Sequence, residues 1–228
     1  MARRLPRHFC FAVKFIRRRR VFVDYRTIRQ EASDEFTERR SRFIGTARPV
    51  QHEAEATEWI AGLRQKYWDA SHNVYAYILR EGNLRRYSDD GEPQGTAGLP
   101  VLDVLQKEGL CDLCVVVTRY FGGILLGGGG LVRAYSHSAK LAVDAAGIKT
   151  MRPCAVLELD CDYSLYGKIS YLLPQFGVKT LGSDFGAVVH LRLLIAAGRK
   201  EGFVKQLQEL SSDTVRPYLC EEYFAELD

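Results

Sequence analysis

Half of the 20 glycines in this 228-residue chain fall between residues 87 and 135, and that clustering limits what the segment can become. Glycine weakens regular structure, so a run of it is kept where the backbone turns sharply or where something else approaches it closely. The densest stretch is Arg119-Tyr120-Phe121-Gly122-Gly123-Ile124-Leu125-Leu126-Gly127-Gly128-Gly129-Gly130-Leu131-Val132-Arg133. The valine-rich Leu113–Tyr120 reads as a buried strand, and Leu131–Ala146 reads as a helix ended by Gly147. The order is therefore strand, glycine loop, helix. Free N–H groups at a helix start favour anions, and missing side chains let a phosphate come near. Arg119 and Arg133 flank the loop, and Tyr120, Gly122, Gly123, Gly127, Gly129 and Gly130 complete a candidate anion-binding set. No Gly-Lys-Ser/Thr closes the loop, so it is not a Walker motif, and Val132 stands where a dinucleotide fingerprint needs glycine. Two readings stay open: the glycines grip an anion, or they only let the helix pack tightly on the sheet.

Ser88-Asp89-Asp90-Gly91-Glu92-Pro93 places three carboxylates in one tight turn. Adjacent carboxylates bind a divalent cation or share a proton. They equally accept backbone N–H groups in a solvated turn. Asp89, Asp90 and Glu92 are thus candidate metal ligands, or Asp89 or Asp90 caps backbone N–H groups, and His72 is a candidate base or a hydrogen-bonded structural residue. Neither GxSxG nor HExxH occurs. No catalytic residue and no cofactor is assigned.

Elsewhere the pattern predicts strands over 42–50, 73–80 and 84–88, a helix over 53–67 and a short helix from Pro100 to Glu108. Past Met151-Arg152-Pro153 the chain changes character. Leu157, Leu159, Cys161 and Tyr163 alternate with acidic residues as in a half-buried strand. Tyr166, Ile169, Leu172, Leu173 and Phe176 form a helical stripe that Pro174 bends or shortens. Strands over 178–184 and 188–195, a stripe of Phe203, Leu207 and Leu210, and a strand over 215–223 follow. The order β-α-β-β-α-β is that of a ferredoxin-like domain. The expected organisation is an α+β protein with a basic leader over 1–23, one domain over 24–150 and a second over 154–228.

The net charge of +4 is uneven: residues 1–20 carry eight basic residues and no acid, so the remainder holds 24 basic against 28 acidic, a net of −4. A general electrostatic grip on nucleic acid by the body is unsupported, and any such grip must be local. The leader fits no clean targeting signal, and a translation start near Val21 is the favoured explanation for it. No apolar run approaches the ~18 residues a membrane helix needs. Six cysteines with no secretory signal point to reduced thiols in a cytoplasm. Cys111-x-x-Cys114 has no second pair to complete a zinc site, and buried small hydrophobes are the expected role.

Tyr87–Gly98 (YSDDGEPQGTAG) and Thr118–Tyr135 (TRYFGGILLGGGGLVRAY) closely resemble the signatures of the IMPACT/YigZ family. Asp69-Ala70-Ser71-His72-Asn73 is similar to its shorter upstream motif, and Ser41-Arg42-Phe43-Ile44-Gly45 to its first strand. The similarity spans about residues 24–228, leaving the leader unmatched. Many members carry lysine where this chain has Leu125, which removes one possible phosphate contact. The resemblance implies an N-terminal β-α domain like the ribosomal-protein domain 2-like fold, shared with domain IV of elongation factor G. It also implies a C-terminal ferredoxin-like domain like domain V of that factor. Eukaryotic relatives are linked to translational control and the amino-acid starvation kinase pathway, and they carry an extra N-terminal interaction domain that does not match here, so that partner is not carried over. The leading expectation is a non-catalytic protein that binds RNA or the ribosome. The rivals are an enzyme holding a phosphorylated substrate and a metal, and a module for protein partners.

Overall fold

The computed structural model describes residues 23–227; all of the expected leader but Val23 lies outside them. The layering of the first domain follows from its central strand, β6 (Leu113–Tyr120). Leu113, Val115 and Val117 face one core, Cys114 and Val116 the other, and all five are buried. A strand buried on both faces reads as a continuous apolar run, which is how this one reads. It lies antiparallel between β3 (Ser41–Pro49) and β4 (His72–Leu79). β2 (Ala32–Glu38) and β5 (Leu84–Ser88) form the edges, giving the order β2-β3-β6-β4-β5. α1 (Glu53–Lys66) covers one face through Trp59, Ile60 and Leu63. α2 (Gly98–Lys107) and α3 (Gly128–Ala146) cover the other, with Leu105 and Tyr135 fully buried. The α3 backbone comes so close to β3 that a Cβ on Gly45 would sit 2.3 Å from the Ser138 carbonyl oxygen.

The second domain runs β7 (Ile148–Cys161), α4 (Tyr163–Leu172), β8 (Lys179–Phe185), β9 (Val189–Ala196), α5 (Lys200–Ser211) and β10 (Tyr218–Ala225). Its sheet has the order β10-β7-β9-β8 with every neighbour antiparallel, the ferredoxin-like arrangement. α4 and α5 cover one face through Ile169, Phe203 and Leu207.

The local differences from the sequence reading have physical causes. β2 carries Asp34, Glu35 and Glu38 on an exposed edge, so it lacks the apolar alternation that marks a strand. The four-residue β1 (Tyr25–Ile28) is a strand only because it pairs with the first residues of β7. Met151-Arg152-Pro153 lies within β7, which pairs with β1 at one end and with β9 and β10 at the other. α4 stops at Leu172, and Pro174 sits in a 3-10 turn that Gly177 closes at φ +62°. Between the domains, the Arg80 guanidinium lies 4.1 Å from the Tyr25 ring and 4.2 Å from the Phe224 ring, and its Nε reaches Asp112.

Candidate site at one end of the first sheet

The register brings the start of β3, the start of β4, the end of β5 and the end of β6 to one edge of the domain, with His72 opposite Arg119 and Arg42 opposite Tyr120. The loop between β5 and α2 folds over this end. Asp89 organises it: one carboxylate oxygen accepts the Ala97 and Gly98 N–H groups at 3.1 and 2.8 Å, and the other accepts Gly95 N–H at 2.9 Å. Asp89 therefore satisfies amides at the mouth of α2, which is why that helix begins at Gly98, two residues ahead of Pro100. Asp90 accepts the Asn73 N–H at 2.6 Å and pairs with Arg64. His72 Nδ1 donates to the Asp90 carbonyl at 2.8 Å, which fixes its tautomer.

Glu92 turns inward from the same loop. Its Oε1 accepts from Arg119 Nη1 at 2.6 Å and from the Tyr135 hydroxyl at 2.7 Å, with His72 Nε2 at 3.8 Å. Arg119 also donates to Ser41 Oγ at 3.3 Å. The Arg119 and Glu92 side chains are only 6% and 4% exposed. Burial, reinforced by the Glu92 carboxylate, pushes the Tyr135 hydroxyl far above the usual phenol range. The two glycine-rich segments thus meet through a buried, charge-assisted cluster.

The glycine run itself divides in two. A Cβ on Gly122 would lie 2.0 Å from the Arg40 carbonyl oxygen, so only glycine fits beneath that turn. Ser71 Oγ accepts the Phe121 N–H at 3.1 Å and Ser41 Oγ accepts the Gly122 N–H at 3.2 Å. This half closes the sheet end. The second half is open. Gly127, at φ +69°, precedes α3 without a side-chain cap, and Gly128 and Gly129 are exposed. Arg133 lies one turn on, with Nη1 3.7 Å from where a Gly129 Cβ would be. Arg133, Arg39, Leu126, Gly130 and His137 line a cleft of about 260 Å³, and Glu38 is the one carboxylate in its lining. Among the described residues neither Arg39 nor Arg133 has an ion-pair partner.

The candidate residues are therefore not one constellation. Arg119 does not flank an open loop: it is buried against Glu92 and its charge is already met. Asp89, Asp90 and Glu92 point to different partners, and among the described residues no group of three His, Cys, Asp or Glu side chains could hold a metal ion. Tyr120 is tied to Asp69 at 2.9 Å. Gly122 serves packing, whereas Gly127, Gly129, Gly130 and Arg133 form an open helix mouth; Gly123 is exposed at φ +81° and does not line the cleft. Sequence reasoning did not single out Arg39 and Arg40, which form the turn between β2 and β3, nor Ser41, whose hydroxyl bridges Arg119 and Gly122. The Cys111 thiol is pushed up to about 11 by burial, and the five described cysteines are unpaired. No helix among the described residues is long and apolar enough to cross a membrane.

Residues 39–143 match the Impact N-terminal domain, which holds every element of this site, and residues 159–214 match a domain of unknown function, DUF1949. The IMPACT family member YvyE of Bacillus subtilis is 42% identical over 191 residues, 82% of this chain and 87% of that protein. The IMPACT family member YigZ of Escherichia coli is 33% identical over 187 residues, 81% of this chain and 92% of that protein. A solved structure described as a hypothetical protein is 30% identical with a TM-score of 0.55, covering 87% of this chain and 98% of that one. On both domains and on full-length relatives, the chain belongs to the IMPACT family.

Proposed function

We propose that this chain is a non-catalytic, cytoplasmic RNA- or ribosome-associated protein that influences translation, and that it grips phosphate at the mouth of α3. One observation carries this reading: the uncapped amides of Gly128–Gly130 open beside Arg133 and Arg39, two guanidinium groups with no carboxylate partner among the described residues. Amides at a helix start and arginine forks are the groups that hold phosphate oxygens. The patch is local, in keeping with a body of net negative charge. An enzyme holding a metal through the acidic turn loses its support, because those carboxylates already accept backbone N–H groups or pair with arginine. The test is sedimentation of the purified protein with ribosomal subunits and with total RNA. Co-sedimentation lost on Arg39→Ala with Arg133→Ala supports the reading; a protein left in the supernatant in all cases contradicts it.

A second reading rests on the other domain. β8 is an edge strand exposed along its whole length, with Leu181 and Phe185 uncovered. A partner chain that adds a strand there would be a protein ligand, and the domain would serve as an interaction module.

A further inference from the structure

We infer that the nucleic acid this site takes is single-stranded, with its bases stacked on Trp68 and Phe121 and its phosphates running past Arg40 and Arg39 to Arg133. The inference rests on the RNA reading above and names its substrate class. Trp68 is 82% exposed, and Phe121 is 48% exposed. The two belong to the same end of the sheet: Asp69, next to Trp68, accepts from the Tyr120 hydroxyl, and Ser71 holds the Phe121 amide. Phe121 is also held from one side, since the buried Arg119 guanidinium lies 5.5 Å from its ring centre. A ring fixed on one face and open to solvent presents a pre-oriented stacking surface. The next residue, Gly122, sits directly against the Arg40 backbone, and Arg39 beside it lines the cleft with Arg133. Aromatic faces and free arginines therefore follow one another around this edge. Arg40, like Arg39, has no ion-pair partner among the described residues.

Charge complementarity decides the occupant. A protein partner needs only the apolar rings, whereas the arginines and open amides call for an anionic backbone. Aromatic side chains reach bases only where the bases are unstacked, which excludes an intact duplex. The test is fluorescence anisotropy of a labelled 12-nucleotide single-stranded RNA and of a duplex of the same length, with the whole protein and with Trp68→Ala and Phe121→Ala. Trp68 makes little packing, so its variant is expected to keep the wild-type melting curve. The inference expects each variant to bind the single strand about tenfold more weakly, with an unchanged dependence on salt because no phosphate contact is removed. It expects the duplex to bind more weakly than the single strand. Equal affinity for both RNAs, with Trp68→Ala and Phe121→Ala unchanged, would overturn this inference and leave the RNA reading standing. Failure of the wild-type protein to bind either RNA would overturn both.

Discussion

Arg119 and Glu92, 27 residues apart in the chain, meet through Nη1 and Oε1 at 2.6 Å where both side chains are almost wholly shielded from water. The contact joins the end of β6 to the loop ahead of α2, and Tyr135 of α3 donates to the same oxygen. Three elements are fastened at one atom. Removing one member leaves a buried charge without its counterpart. Glu92→Ala and Arg119→Ala are each expected to lower stability by about 3–5 kcal/mol. The double variant should lose less than the sum of the two. Urea denaturation of the four proteins measures this as a double-mutant cycle, and strict additivity would show that the pair is not coupled.

The two halves of the glycine run should respond in opposite ways. Gly122→Ala drives a methyl into the Arg40 backbone, which cannot swing aside, and should cost about 1–3 kcal/mol. Gly128→Ala meets nothing closer than the Thr96 methyl at 3.9 Å and should leave stability unchanged or raise it by up to ~1 kcal/mol. Thermal melts of the two variants check the contrast.

Asp89 accepts three backbone N–H groups, and Asp89→Ala strands them at the mouth of α2. A loss of about 1.5–3 kcal/mol is expected. Hydrogen exchange should quicken at Gly95, Ala97 and Gly98 while β6 stays protected. Unchanged exchange at those amides would show that the cap is dispensable.

Alkaline pH should unfold the protein early. Burial raises the Tyr135 and Tyr77 hydroxyls above their ordinary 10.0 and the Cys114 and Cys111 thiols above 9.0. The folded chain then holds protons that the unfolded chain has released. That contribution is intact below about pH 9 and is lost as pH rises beyond the ordinary thiol and phenol values. The melting temperature should fall across that range, and Cys114→Ala should shift the onset upward. On the acid side, the Tyr218 hydrogen bond holds Glu158 below its ordinary 4.5, so its contribution is present above that value and fades as pH falls.

Most of the fold was legible because its signals are local. The run Leu113–Val117 announced a strand buried on both faces, and the βαββαβ order emerged from alternation and helical stripes. β1 and β2 were not legible: one is defined by its partner β7 and the other by its place at an edge. The site was legible as a region but not as a set of roles. Nothing in the spacing of Arg119 and Glu92 says that they neutralise each other, since that depends on which way a loop turns. Arg119 and Arg133 look alike in sequence, yet one is sealed in the interior and the other lies in the open.

The open start of α3, with Arg39 and Arg133, is the proposed phosphate site. The direct measurement is the affinity of a single-stranded RNA across a salt series, for the wild-type protein and for Arg39→Ala with Arg133→Ala. Phosphate held there predicts wild-type affinity that falls steeply with salt, and a double variant that binds at least about tenfold more weakly with a log–log slope smaller by roughly 1.4. Identical affinity and slope in the two proteins would contradict it.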